Sequence, residues 1–209
     1  MQGVNMGFGS GNASFTRFKI IDEIPGQLWS EISGKLKLFA FQDIDNRPDE
    51  RFWGWTNIDD MLDTSWQSSP PEKGHYLAFS LRLDTRRIAP AVFKKHYTLA
   101  LREEEQKAKA EGHAFVSRLR RQELRQAVRQ RLLQRSLPIP AEFNVIWNTQ
   151  NGIVYFASTQ AKMIEMFTAH FSKTFELDLE QLTPYTMATN LLGENIAPKL
   201  DALQGTIFV

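Results

Sequence analysis

FNVIWNTQNGIVYFAS, residues 143–158, is the stretch on which the fold turns. Two apolar runs, Phe143–Trp147 and Ile153–Ser158, flank Asn148–Gly152, with Asn151-Gly152 placed for the turn. Asn-Gly accepts the positive backbone angles of a tight reversal, so the stretch predicts an antiparallel β-hairpin. Upstream, His75–Leu83 (HYLAFSLRL) reads as a strand. So do Ala13–Ile21, with Phe15, Phe18 and Ile20 apolar, and the aromatic FWGW of Phe52–Trp55. Downstream, Thr159–Thr174 carries Met163, Met166, Phe167 and Phe171 at helical spacing. Pro25 opens a helix to about Phe39, with Leu28, Trp29, Ile32, Leu36 and Leu38 apolar. Pro90–Ala110 predicts a further helix, with Ala91, Phe93, Tyr97, Ala100 and Leu101 as inner residues. Gly112 breaks it, another helix follows to Arg135, and Pro138 and Pro140 end that one. After Thr174 the chain, interrupted by Pro184 and Pro198, reads as short, irregular or weakly helical. The order βαββααββα with hairpin connections predicts an α+β fold: an antiparallel sheet with helices packed on one face. Residues 90–137 are expected as a projecting two-helix hairpin, and 1–89 with 138–209 as an α+β body.

The second helix of that hairpin is the unusual one. Ala114–Arg135, AFVSRLRRQELRQAVRQRLLQR, holds seven arginines and a single acid, Glu123. Leu124, Val128 and Leu132 form an i, i+4, i+8 seam. Arg118, Arg125 and Arg129 line one flank of it, and Arg120 and Arg131 the other. Acids that would pair with these arginines at i±4 are missing, so the helix is more than a solvated, self-neutralised face. Guanidinium forks suit phosphate better than ammonium does. Net charge is +1 overall, but it is unevenly placed. Residues 1–81 hold 7 basic and 11 acidic side chains, 82–139 hold 15 and 6, and 140–209 hold 3 and 7. One basic segment between two acidic ones is the asymmetry of a locally cationic binding surface.

Other chemistries find little support. No cysteine is present, which excludes disulfides and thiolate metal sites and fits a reducing, cytoplasmic setting. No apolar run approaches a membrane span, and a signal-peptide core is not seen, so no membrane partner is expected. His75, His96, His113 and His170 share no metal-ligand spacing. Gly34-Lys35 is followed by leucine rather than Ser/Thr, which rules out a Walker loop. Gly7, Gly9 and Gly11 precede a strand rather than follow one and carry little weight as a phosphate loop. The acidic residues Asp43, Asp45, Asp49, Glu50, Asp59, Asp60 and Asp63 leave a metal-dependent nuclease as an alternative. Arg47 and Pro48 break the calcium-loop pattern that Asp43-Ile44-Asp45-Asn46 begins. No cofactor is expected.

LRLDTRRIAP (Leu81–Pro90), VFKKH (Val92–His96), VRQRLLQRSL (Val128–Leu137), the hairpin with its following Thr159–Lys162, and QLTPY (Gln181–Tyr185) come in a characteristic order. That order resembles the recombination-associated protein RdgC family. The matching region runs over about 180 residues, beginning near Met6-Gly7-Phe8 with Met1–Asn5 as an apparent extension, and does not include the further C-terminal region of longer members. The resemblance implies a non-enzymatic, largely sequence-independent DNA-binding protein, a ring-shaped dimer that restrains RecA-promoted strand exchange and is nucleoid-associated. DNA contacts are then expected at Arg82, Arg86, Arg87, Lys94, Lys95, Arg118, Arg120, Arg121, Arg125, Arg129, Arg131 and Arg135. Dimer contacts are expected at Leu132, Leu133 and Leu137; the last is aromatic in other members. No recognition-helix signature is read, so sequence specificity is not expected. A protein-interaction module with an arginine-rich docking helix is the other alternative, its three-residue seam being thin for a coiled dimer.

Overall fold

The computed structural model describes residues 14–45, 47 and 49–204. Among them are seven strands in an antiparallel sheet and six α-helices, so the fold is α+β. The chain divides into two compact units: residues 1–40, 54–82 and 142–209, and residues 41–53 with 83–141. The strands are β1 (Thr16–Ile20), β2 (Arg51–Asn57), β3 (Glu72–Lys73), β4 (Tyr76–Thr85), β5 (Ile139–Asn148), β6 (Ile153–Phe156) and β7 (Leu179–Gln181). They run in the order β2-β4-β5-β6-β1-β7, with β3 pairing to β4.

The β5–β6 hairpin forms where the Asn-Gly signal put it, pairing Trp147 with Val154 and Asn148 with Ile153. Gly152 sits at φ +66°. The Asn148 and Asn151 side-chain oxygens accept from the Gln150 and Ile153 amides, both at 3.0 Å. These local bonds favour the turn, and the Ile20 amide, donating to the Gly152 carbonyl at 3.0 Å, ties it to β1. β1 lies antiparallel to β6, with Phe18 opposite Val154. Its inward set is Thr16, Phe18 and Ile20. Phe15, the other apolar residue of that stretch, precedes β1 and is 42% exposed, because the inward pleat alternates from Thr16. The Thr16 hydroxyl donates to the Ser158 carbonyl at 2.7 Å.

α4 (Ala161–Phe175) carries the core of the first unit. Met163, Phe167, Phe171 and Phe175 recur every four residues, and all are buried. Phe167 stacks on Phe156 with centroids 4.2 Å apart. Trp55 and Trp147, both fully buried, close around Phe175 and Phe171. The Trp55 indole donates to the Thr174 hydroxyl at 2.8 Å, and that hydroxyl donates to the His170 carbonyl. α1 (Leu28–Leu38) buries Leu28, Ile32 and Leu36. Trp29 and Leu38, also read onto that face, are 39% and 74% exposed. An 11-residue helix has room for one narrow stripe, and only the i, i+4, i+8 set lies on it. The C-terminal part is more ordered than its prolines suggest. β7 pairs with β1, and the Thr183–Thr186 capping box with Pro184 at the first turn starts α5 (Pro184–Leu192). α6 spans Ala197–Asp201.

In the second unit, α2 (Pro90–Ala110) and α3 (Arg118–Gln134) form the expected helical hairpin. Gly112 at φ +81° ends α2, and the His113 amide returns to the Ala108 carbonyl at 2.8 Å. α3 begins at Arg118 rather than Ala114. Ser117 caps it, accepting from the Arg120 amide at 3.2 Å, and such a cap needs extended backbone before the helix. No residue of α2 is fully buried; Phe93, Tyr97, Ala100 and Leu101 are half-buried and Ala91 is exposed.

Candidate nucleic-acid interface

The second unit concentrates the positive charge. Counted over its residues, 16 basic and 10 acidic side chains leave +6; the first unit, with 9 and 14, stands at −5. The cations sit on α3 and the segment leading into α2. Arg87, Lys94, Lys95, Arg118, Arg120, Arg121, Arg125, Arg129, Arg131 and Arg135 are all exposed.

Some of these charges are already answered. Arg129 Nη2 lies 2.8 and 2.9 Å from the two carboxylate oxygens of Glu50. Arg120 donates from Nε to Glu104 and from Nη1 to Glu123, the latter at 3.1 Å. The Glu104 hydrogen bond, then that of Glu123, raises the Arg120 pKa above its ordinary value. The same contact lowers that of Glu104. Arg125 places its guanidinium 5.5 Å from the centroid of the Phe93 ring, a cation–π contact that orients the group without neutralising it. Arg87, Lys94, Lys95, Arg118, Arg121, Arg125, Arg131 and Arg135 have no carboxylate within ion-pair distance among the described residues.

The start of α3 adds to this field. Arg118, Arg120 and Arg121 occupy the first turn, where unsatisfied amides already carry partial positive charge and an acidic residue would be favoured. No acid stands there. This arrangement gives up a few tenths of a kcal/mol of helix stability per residue, and an anion lying against the turn would recover it.

Four of the expected contacts are placed elsewhere. Arg86 is 3% exposed and donates to the carbonyls of Ile44 at 2.7 Å, Asp45 at 2.8 Å and Leu133 at 3.2 Å. It braces the backbone of the second unit and cannot reach a phosphate. Arg82 is 9% exposed and donates to the Met61 carbonyl at 3.2 Å within the first unit. Leu132 and Leu133, taken as dimer contacts, are each 8% exposed, so they are buried and not available to a second copy. Leu137 alone of the three is free, at 81% exposed.

The acidic run does not converge. Asp43, Asp45, Asp49 and Glu50 belong to the second unit, and Asp59, Asp60 and Asp63 to the first. Asp63 accepts hydrogen bonds from Ser65, Gln67, Ser68 and Asn57 and so closes its own loop. The Ser68 hydroxyl foremost holds its carboxyl well below the usual carboxylate range. Asp59 is tied to Ser69 and Lys73. Among the described residues no group of three or more acidic, histidine or cysteine side chains is arranged to hold a metal ion. Among the described residues no helix is long and apolar enough to cross a membrane.

Two ion pairs of this surface lie outside the sequence expectations. Glu50 lies 79 positions from Arg129, and no local pattern joins them. Glu104 could have been found by counting back through the helical hairpin from Arg120, 16 positions away. The glycine-rich start at Gly7, Gly9 and Gly11 lies outside the described residues. No protein-family model matches the chain, and no curated protein matches it.

Proposed function

We propose that the chain is a DNA-binding protein that grips the phosphate backbone, forms a homodimer and, as the RdgC-like order of its motifs suggests, restrains RecA-type recombination at the nucleoid. The observation that carries the binding is the set of exposed cations on α3 and the start of α2 that have no carboxylate partner among the described residues. Such groups release condensed counterions from DNA, and the resulting affinity is independent of sequence. Leu137, exposed just past α3, is the position left for contact with a second copy. No observation favours the nuclease alternative, whose carboxylates are divided between the units or locked in a turn.

The test is a duplex-binding titration by anisotropy at several salt concentrations. If about four of the eight unpaired cations touch phosphate, the log–log slope is about −3.6, and affinity drops roughly 150-fold between 50 and 200 mM salt. Charge reversal of Arg118, Arg125 and Arg131 together should abolish the binding while the helical signal in circular dichroism stays intact. Salt-insensitive binding, or binding indifferent to the triple reversal, overturns the proposal.

A further inference from the structure

A cavity of about 350 Å³ opens in the first unit, between α1, the β3–β4 hairpin and the β5–β6 turn. Trp29 and Ile32, three residues apart on α1 and so neighbours on its surface, form one wall. Leu77 of β4 and Glu72 of β3 form another. These two are directly opposed in the ladder, so their side chains leave it on the same side. Ile32 and Leu77 are buried, and they give the cavity an apolar floor. Trp29 keeps 39% of its surface exposed while its ring packs on that of Trp147, with centroids 5.6 Å apart. Its aromatic surface is therefore held in place and still within reach of a ligand.

Glu72 and Thr149 supply acceptors to this cavity rather than donors. Glu72 is exposed and has no ion pair or side-chain hydrogen bond among the described residues. Lys73, the adjacent cation, stands opposite Tyr76 on the other side of the ladder and is held by Asp59 at 3.1 Å. The Thr149 hydroxyl donates its one proton to the His75 carbonyl at 3.0 Å, which leaves only oxygen lone pairs for a ligand. A molecule that fits must bring donors and positive charge on a small apolar body. We propose that the cavity binds an organic cation, a guanidinium or primary ammonium on a short alkyl stem, with the head at Glu72 and Thr149 and the stem along Trp29, Ile32 and Leu77. A guanidinium carries five donors and no acceptor, and it stacks on aromatic faces. The first unit, with 9 basic and 14 acidic side chains, attracts cations and repels phosphate. The site is thus independent of the DNA-binding surface and stands or falls apart from it.

The probes are n-butylguanidinium and n-butylurea, which share a shape and differ in charge, titrated into the full chain by NMR. The Trp29 indole N–H, the Thr149 amide and the Ile32 and Leu77 methyls report on the cavity. The guanidinium should bind with a Kd of about 1 mM, as expected of so small a ligand, and the urea roughly tenfold more weakly. Glu72→Gln should lower the guanidinium affinity about fivefold and leave that of the urea unchanged. Because the Glu72 side chain makes no printed-distance contact that the fold depends on, the variant keeps the wild-type spectrum elsewhere. Equal binding of the two probes, undiminished guanidinium binding by Glu72→Gln, or no shift at these groups at about 20 mM probe overturns the proposal. A third titration, with arginine capped as an acetyl methylamide, finds the source of the cation. Affinity equal to that of butylguanidinium supports the proposal with an arginine of a peptide as the ligand, and exclusion of the capped residue supports it with a free small molecule.

Discussion

Arg86 separates a surface cation from a structural one, and its replacement shows which it is. In Arg86→Met the stem is kept and the guanidinium is lost. Three charge-assisted hydrogen bonds disappear, to Ile44, Asp45 and Leu133. Summed as isolated bonds they would come to about 4.5–9 kcal/mol, but that total overstates the loss. The Ile44 carbonyl still accepts from the Arg47 amide at 2.9 Å, and the Leu133 carbonyl from the Ser136 amide at 3.0 Å. Among the described residues only the Asp45 carbonyl loses its guanidinium donor without another donor in place, and removing a buried charge recovers some desolvation. The net cost is therefore about 3 kcal/mol, a fall of roughly 6–12 °C in Tm for a chain of this size. Arg87, the adjacent but exposed cation, is the control: Arg87→Met should leave stability within about 0.5 kcal/mol and weaken DNA binding. Urea denaturation and duplex titration of both variants decide the matter. An Arg86→Met protein with unchanged denaturation midpoint and reduced DNA affinity would refute the reasoning, since Arg86 would then be acting at the surface.

Two further outcomes follow from the same structure. His170, packed against Trp55 at 4.6 Å between ring centroids, has its pKa pushed down to about 4, chiefly by burial. The unfolded chain then binds the extra proton first, so stability is complete above about pH 6.5 and declines as pH falls toward 4. The loss at pH 4.5 from this group is about 2.5 kcal/mol, and comparing urea midpoints of wild type and His170→Leu at pH 7.5 and 4.5 checks it. If the two proteins lose stability equally over that range, His170 is not the source. Glu104→Gln frees Arg120 from one of its two carboxylates and should raise DNA affinity at 150 mM salt about fivefold while steepening the salt slope by about 0.9. An unchanged slope in the same anisotropy titration would mean that Arg120 faces away from the nucleic acid.

The readings that held were those in which cause and consequence lie within a few residues. Asn151-Gly152 sets a hairpin by its own backbone angles and side-chain bonds, and the four-residue recurrence from Met163 to Phe175 sets a buried helix face. Gly112 and the spacing of the prolines mark where α2 and α3 stop and start, to within the reach of a capping serine. The charge division along the chain is likewise a property of the sequence alone.

What the sequence could not decide was which polar and apolar groups face water. Arg86 and Arg87 are neighbours of one type, yet one is buried among carbonyls from segments 41 to 47 positions away and the other is free. Leu133 and Leu137 share the same chemistry, and tertiary packing buries one and exposes the other. Arg129 meets its counter-charge across 79 residues, whereas Arg118 and Arg131 have no carboxylate at pairing distance among the described residues. Local patterns fix backbone conformation because turns and helices close over three or four residues. Burial and charge pairing depend on side chains brought in from distant segments, and only the folded chain determines which ones arrive.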